Sequence, residues 1–480
     1  MNGLMPMSGR LTKLVLFIAG AALAAGPAGA QVKTGLATQV RPAAAQPKPT
    51  PSKTPKMQVQ PPATPEAPVP GNPDYAPAQA TTPEATPPAP PPLPPVVWDV
   101  VSAQDLLYYI QQIGKEGLNP GDYEPAELEA AIRTGNPAII SPIATDRFDR
   151  VSSDLALGHV KKPGRTDWWV VDKDLDNAKQ DALLRGALVQ HNVRATLDAL
   201  LPNHPQYAAL KQALALTPAT ETAKIDRIKI NMDRWRWLPR DLGNKYIIVN
   251  VPSFYATLVE NGATRWKHRA VAGKLSTPTP QLSAMATGVI LNPWWEVPKS
   301  IEKEAAGKKG FVAVKGADGK VQRWRQPPGP TNALGQIKFV MPNSKAIYLH
   351  DTNARSRFNS DVRALSHGCV RTQHILDLAT ELLGDDGGEW TSEKVQAALD
   401  SKKTVQASFV KPLPVYIVYF SAAALLDGSI IDYKDLYGRD SKAMAALEMK
   451  DGGASLAPLK PKEEQAAKPK PKAADKVATR

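Results

Sequence analysis

The chain has one cysteine in 480 residues, no apolar run long enough to cross a bilayer, and neither an H-E-x-x-H nor a C-x-x-C spacing. Each shortage removes a class of explanation. A single thiol, Cys369, cannot close an internal disulfide, so its chemistry lies elsewhere. His350, His367 and His374 lack metal-site spacing, and no metal or organic cofactor is implied. The N-terminal apolar run from Leu14 to Ala25 falls short of the roughly 20 residues a membrane-spanning helix needs.

What is present divides the chain into five parts. Arg10 and Lys13 precede the apolar run, and Ala28-Gly29-Ala30 supplies small residues before Gln31, so residues 1–30 have the layout of a secretory signal. The expectation is an exported, periplasmic protein, with an uncleaved inner-membrane anchor as the alternative. Residues 31–97 are rich in Pro, Ala, Thr and Gln, the composition of a disordered or semi-extended linker. Residues 98–220 read as a mainly helical scaffold, opened by a capping box at Ser102 and Asp105 and carrying Leu106, Leu107, Ile110 and Ile113 on one face. Further helices are expected over Leu183 to Leu201 and Pro205 to Leu216.

Residues 221–440 read as a strand-rich domain. Its first strand starts near Asn244, Asn261-Gly262 is a hairpin turn, and Trp266 to Val271, Ile337 to Met341 and Val415 to Phe420 follow as strands. Strands with few helices predict an α+β fold with a mixed or mostly antiparallel, sandwich-like sheet. Residues 299–343 are too long for an ordinary connection, and such segments usually carry function. Residues 441–480 are lysine-rich and read as a disordered basic tail. The net charge of +13 favours anionic partners, whether peptides, polymers or lipid headgroups. An exported chain without a recognition motif is not expected to bind nucleic acid.

The lone thiol sits in Ser366-His367-Gly368-Cys369-Val370-Arg371. Upstream, Ala346 to Thr352 alternates, which places Tyr348 and His350 on one face of a strand and Ile347 and Leu349 on the other. Downstream, Ile375, Leu378, Ala379, Leu382 and Leu383 fall on a helical stripe, with Thr372 as its cap and Gly384 as its stop. This pattern predicts that Cys369 lies just ahead of a helix N-terminus, whose partial positive charge favours the thiolate. Gly368, without a Cβ, permits a tight turn and lets a carbonyl approach the local amides.

The spacing of His350, fifteen residues, then the Ser366 to Arg371 hexapeptide resembles bacterial L,D-transpeptidases. The resemblance extends to Asn231-Met232-Asp233-Arg234-Trp235-Arg236-Trp237, to Tyr246 to Pro252 and to Asn292-Pro293-Trp294-Trp295, which look like the large, scaffold-bearing Gram-negative branch. It implies a peptidoglycan enzyme that cross-links stem peptides through a cysteine acyl-enzyme, with periplasmic roles in cell-wall biogenesis and cell shape. An L,D-carboxypeptidase or endopeptidase, or a non-catalytic wall-binding scaffold, are the alternatives. The roles implied are Cys369 as nucleophile, His350 as general base and acid, and His367 in support. Asp351 through its carbonyl, Ser366 and Gly368 would orient the base or form the oxyanion site, while Arg371, Tyr348, Trp294 and Trp295 would line the substrate cleft. Residues 299–343 stand where the family carries a lid. The peptidoglycan-binding module that large members insert between scaffold and catalytic domain has no counterpart here.

Overall fold

The computed structural model describes residues 94–171, 174–425 and 427–456. The expected signal, nearly all of the expected linker and most of the lysine-rich tail lie outside the described residues. From Val96 onward the described chain forms one compact unit.

Helices come first: α1 Val100–Gln112, α2 Pro125–Arg133, α3 Pro137–Leu157, α4 Asn177–Val189, α5 Val193–Asp198, α6 Pro205–Leu216 and α7 Thr222–Arg236. The cap of α1 is Asp99 rather than Ser102, because the Asp99 carboxylate accepts the Ser102 amide at 2.9 Å and the Ser102 hydroxyl at 2.6 Å. The single helix expected over Leu183 to Leu201 is two, broken where His191 takes φ +47°. Trp98, Leu106, Ile110, Phe148, Leu184 and Leu197 form the buried core of this half.

In the second half the strands are β1 Trp168–Trp169, β2 Lys245–Asn250, β3 Tyr255–Glu260, β4 Ala263–Gly273, β5 Gln281–Leu291, β6 Trp295–Glu296, β7 Val312–Lys315 and β8 Val321–Gln326. They continue with β9 Ile337–Val340, β10 Leu349–His350, β11 Ala364–Ser366, β12 Val370–Thr372, β13 Val405–Val418, β14 Ala422–Ala424 and β15 Ile430–Asp432. Helices α8 Glu302–Ala305, α9 Ile375–Asp385, α10 Ser392–Asp400 and α11 Asp440–Leu447 punctuate them. The α+β class and the mixed sheet are as expected. The sandwich is not two facing sheets: nine strands of a ten-stranded sheet run β1-β5-β13-β2-β3-β4-β12-β10-β9, the tenth, β11, pairs with β4, and β5 also pairs with β9, so the sheet closes and becomes barrel-like. Closure leaves fewer open edges than a sandwich would.

Period-two alternation gives the sheet two apolar faces. Ile247, Val249, Leu258, Val289, Phe339 and Ile417 pack on one side with Leu378 and Leu382 of α9. Tyr246, Val259, Tyr416 and Val418 face the other way, onto Tyr207, Leu210 and Ile228 of α6 and α7. The Asn261-Gly262 turn is present, with φ +49° and +76°, the left-handed pair a two-residue hairpin requires.

The polar residues of α7 join the halves. Asp233 accepts the His159 and Val160 amides at 2.8 and 3.1 Å and the Trp237 indole at 2.7 Å, while Arg234 pairs with Asp440 at 2.7 Å. Asn231 exchanges bonds of 3.0 Å with both the amide and the hydroxyl of Ser421. This stretch is therefore structural, which accounts for so many charges in a buried helix.

The expected basic tail begins folded. Ala443, Ala446 and Leu447 of α11 are buried, and beyond the helix the Met449 carbonyl accepts His159 Nε2 at 2.8 Å. His159 also meets Asp154 at 2.7 Å, with Asp122 at 3.9 Å and Lys161 close to the same carboxylate. Burial opposes its charge, but Asp154 prevails and raises its pKa to about 8. A raised histidine pKa stabilises the fold fully below the unfolded value of 6.5, and that contribution is lost as pH rises through 8. The expected size is about 2 kcal/mol. Denaturant unfolding at pH 6 and pH 9 checks this: the wild type should lose that much more than His159→Asn, and equal losses would contradict it.

Between Trp295 and Gln326, β6, β8 and β7 form a separate three-stranded sheet over a small core of Val297, Ile301 and Ala305. The segment expected over 299–343 is thus a folded element, and its final part, β9, belongs to the main sheet.

Candidate active site

Two short parallel strands assemble the site. β10 and β12 pair with Leu349 opposite Val370 and His350 opposite Arg371, and the Val370 amide donates to the Tyr348 carbonyl at 3.1 Å. Cys369 immediately precedes β12 and His350 ends β10, so the two functional groups lie on neighbouring strands. β10 is only two residues long, shorter than the alternation predicts, because Ala346 turns to φ +52°. Asn343 holds that turn, donating to the Met341 and Ile347 carbonyls at 2.7 Å each and accepting the Ile347 amide at 3.1 Å.

A strand, not a helix, follows the thiol. Thr372 is a fully buried residue of β12 rather than a cap, α9 starts at Ile375 behind His374 in the left-handed region, and Gly384 lies inside the helix. The helix N-terminus is therefore not beside Cys369. Burial pushes the Cys369 thiol up, while Tyr348, Lys338 and Arg371 pull it back. Cys369 Sγ makes a long contact of 3.7 Å to the Ala346 carbonyl. The net direction is upward, against the lowered thiol that the sequence pattern predicts.

His350 is buried, and burial, then Arg371 and Lys338, lowers its pKa to about 3. The imidazole is neutral at pH 7, as a general base must be. The Asp351 carbonyl favours the protonated ring, as an orienting group would, yet Nδ1 lacks a partner in normal hydrogen-bond geometry among the described residues. Catalytic hydrogen bonds are commonly long until substrate tightens them. The Asp351 carboxylate accepts the Gln336 amide at 3.0 Å and Arg355 at 3.1 Å, which fixes the strand end. A Cβ at Gly335 would come within 2.3 Å of that carboxylate, so only glycine fits there.

The loop before the thiol is tightly braced. Ser366 Oγ donates to the Cys369 carbonyl at 2.5 Å and accepts the Gly368 amide at 3.1 Å. Thr279 Oγ1 donates to the Gly368 carbonyl at 2.7 Å and accepts the Gly273 amide at 2.8 Å. Gly368 has φ +117°, a conformation that a side chain would strain. Because its amide is engaged by Ser366, Gly368 does not offer that amide to the oxyanion site expected around it.

His367 points elsewhere. Its Nε2 lies 3.3 Å from Lys274 Nζ and 3.4 Å from Glu304 of α8, with no bond to Cys369 among the described residues. Tyr348 is better placed, since its hydroxyl interacts with both the Cys369 thiol and the Trp295 side chain, and burial first, then Cys369, raises its pKa. Trp294 is covered instead by Arg325, 4.1 Å above its ring. Arg371 has a buried Nε without a partner among the described residues, and burial first, then Arg357, lowers its pKa. The sequence reading missed Thr279 and Lys338. A threonine flanked by Pro278 and Pro280 was the available signal for the first, and a lysine alternating with the apolar Ile337 and Phe339 for the second.

Residues 244–406 match the model of the L,D-transpeptidase catalytic domain, and residues 98–214 match the scaffold domain model. A Haemophilus influenzae protein, whose name assigns it provisionally to the L,D-transpeptidases, is 31% identical over 265 residues, 50% of this chain and 53% of its own length. The chain thus spans about half the length of that relative. Among solved structures, an L,D-transpeptidase from Mycobacterium smegmatis is 13% identical with TM-score 0.20, covering 36% of this chain and 58% of its own. One from Enterococcus faecium is 13% identical with TM-score 0.22, covering 37% and 50%. At those scores neither structure carries an argument about this chain.

Proposed function

We infer that this chain, which carries an L,D-transpeptidase catalytic domain behind a scaffold domain, is an exported cysteine transpeptidase that cross-links peptidoglycan stem peptides. The observation that carries the reading is the parallel register of β10 and β12, which stands a neutral buried imidazole beside the strand that the only thiol precedes. Export rests on the N-terminal charge and apolar pattern alone.

Cys369 Sγ attacks the carbonyl of the L,D bond before the terminal D-residue of a tetrapeptide, and His350 accepts the thiol proton. The tetrahedral oxyanion meets the Cys369 amide. Collapse breaks the C–N bond, His350 passes its proton to the departing amine, and a thioester remains on Cys369. A side-chain amine of a second stem then attacks the thioester, His350 takes that amine's proton and returns it to the sulfur, and the cross-link is formed. Arg371 and Lys338, both bearing on Cys369, suit the carboxylates of the stems, and Tyr348 with Trp295 forms the apolar wall beside them.

The element built from β6, α8, β7 and β8 is read as a lid. Glu304 of α8 reaches His367 in the thiol loop, and Trp295 of β6 reaches Tyr348, so the element closes onto the site from two points. Shielding matters because water competes with the acceptor amine for the thioester. Replacing Gly307 to Gly329 with a short Gly/Ser linker should shift products from cross-linked dimers toward trimmed tripeptides while Cys369 still acylates. Mass spectrometry of purified muropeptides reads the ratio, and an unchanged ratio in a folded variant would sink the lid. Wild-type protein yielding only trimmed monomers would replace the transpeptidase reading by a hydrolase.

A further inference from the structure

The loop that carries the thiol is backed by the connection from β4 to β5, residues 274–280. Within it the Lys274 amide and the Thr277 hydroxyl donate to the Ser366 carbonyl at 2.9 and 3.2 Å, and the Thr279 hydroxyl donates to the Gly368 carbonyl at 2.7 Å. Three bonds thus tie this connection to the residues that lead into Cys369.

Behind the connection stands the segment between β15 and α11. Tyr437 Oη donates to the Gly273 carbonyl at 2.6 Å and accepts the Thr279 amide at 3.3 Å, so one hydroxyl clamps both ends of the turn. Arg439 Nη2 donates to the Thr279 carbonyl at 3.0 Å and to Asp167 Oδ2 at 2.9 Å. Thr279 is fully buried and every polar group on it is engaged: the hydroxyl faces the thiol loop, while the amide and carbonyl are held by Tyr437 and Arg439.

The two residues are themselves fixed in place. The Arg439 guanidinium lies 5.0 and 4.9 Å from the ring centroids of Tyr419 and Tyr437, which stack 5.7 Å apart with planes within 27°. Tyr419 donates to Asp435 at 2.6 Å and accepts the Tyr437 amide at 2.8 Å, and Asp435 accepts the Arg439 and Asp440 amides at 2.9 and 3.0 Å. A buried polar network of this kind rigidifies what it holds.

We propose that Tyr437 and Arg439 are positioning residues for the thiol: through Thr279 they fix where the Gly368 carbonyl stands, and with it the alignment of Cys369 with His350. The proposal rests on Cys369 being the acylated group, and it extends the site to a segment beyond residue 406, where the matched catalytic domain ends. Acylation by a stem needs sulfur, base and oxyanion donor aligned together, whereas alkylation by a small reagent needs only an accessible, ionised thiol. A loosened loop therefore moves the two rates in opposite directions.

Both rates, acylation of Cys369 by a tetrapeptide stem and alkylation of the same thiol by iodoacetamide, are measured on the full chain well below its unfolding midpoint. Tyr437→Phe and Arg439→Lys, which keeps the charge toward Asp167 but gives up the planar fork, should each slow acylation about ten-fold. Each should also speed alkylation about two-fold or more, as the partly covered sulfur opens to solvent. Tyr416→Phe is the control: it removes another buried hydroxyl, 3.3 Å from the Leu242 carbonyl, and should change neither rate. A purely structural role for Tyr437 would lower the unfolding midpoint and leave both rates at their wild-type values. In folded Tyr437→Phe, acylation at the wild-type rate or alkylation that fails to rise would overturn the proposal. A wild type that is alkylated but never acylated would remove the proposed reaction by itself, and the alkylation rate of Tyr437→Phe would still decide whether the brace holds the loop.

Discussion

Cys369→Ala, purified as the full chain, is expected to lose turnover of a tetrapeptide stem by at least about 10⁴-fold and to accept no acyl group. The sulfur is the proposed nucleophile, and among the described residues neither neighbouring hydroxyl is placed to replace it: that of Ser366 is committed to the Cys369 carbonyl, and that of Thr279 to the Gly368 carbonyl. The fold should survive. The cysteine is a small side chain at the margin of its core, and trimming one heavy atom costs on the order of 1 kcal/mol. Cys369→Ser separates reactivity from shape, because a serine hydroxyl is far less ionised than a thiol. Retained turnover in a folded Cys369→Ala protein, measured by muropeptide chromatography, would remove the thiol from the mechanism.

The second large effect is at the base. His350→Ala should slow acylation of Cys369 by roughly 10²–10⁴-fold, the usual contribution of a positioned general base. Since the buried ring would be missed structurally as well, His350→Gln keeps most of the volume and should show the same loss. The pH profile gives an independent reading. A His350 pKa of about 3 keeps the base neutral well below its usual range, so acylation by the wild type should hold level from pH 7 to about pH 5. A limb centred near 6.5 would instead mean that the base is a solvated histidine and not the buried His350. On the alkaline side, the raised thiol predicts no thiolate plateau at neutral pH. Iodoacetamide alkylation against pH checks that directly.

Local signals in the sequence were legible where local chemistry decides the structure. Asn261-Gly262 fixes its hairpin because both residues accept positive φ, and Pro205 opens a helix because its missing amide has no partner there in any case. The candidate pair of Cys369 and His350 was also legible, since each stands in a distinctive polar setting. What could not be read were the consequences of long-range pairing. Val370 to Thr372 is too short to register as a strand, and only its distant partners make it one: β10, about twenty residues upstream and parallel, and β4, antiparallel. The helix dipole argument for the thiol failed for that reason. Closure of the sheet likewise depends on β5 meeting β9, a contact with no local signature. The charges of α7 entered the sequence reading only as part of a resemblance, and their role as buried braces could not be read there, because a carboxylate holding three donors, as Asp233 does, is settled only by what packs around it.

The central claim, that Cys369 carries the acyl group between two stems, is tested most directly by intact-protein mass spectrometry during turnover. The full chain is mixed with purified tetrapeptide muropeptide, quenched in acid within the first turnovers, and digested to locate any adduct. The predicted result is a stem acyl group, lacking the terminal D-residue, in thioester linkage to Cys369, which appears before cross-linked dimer and decays as dimer accumulates. Dimer formation with an unmodified Cys369 throughout, or with the acyl group on any other residue, would contradict it.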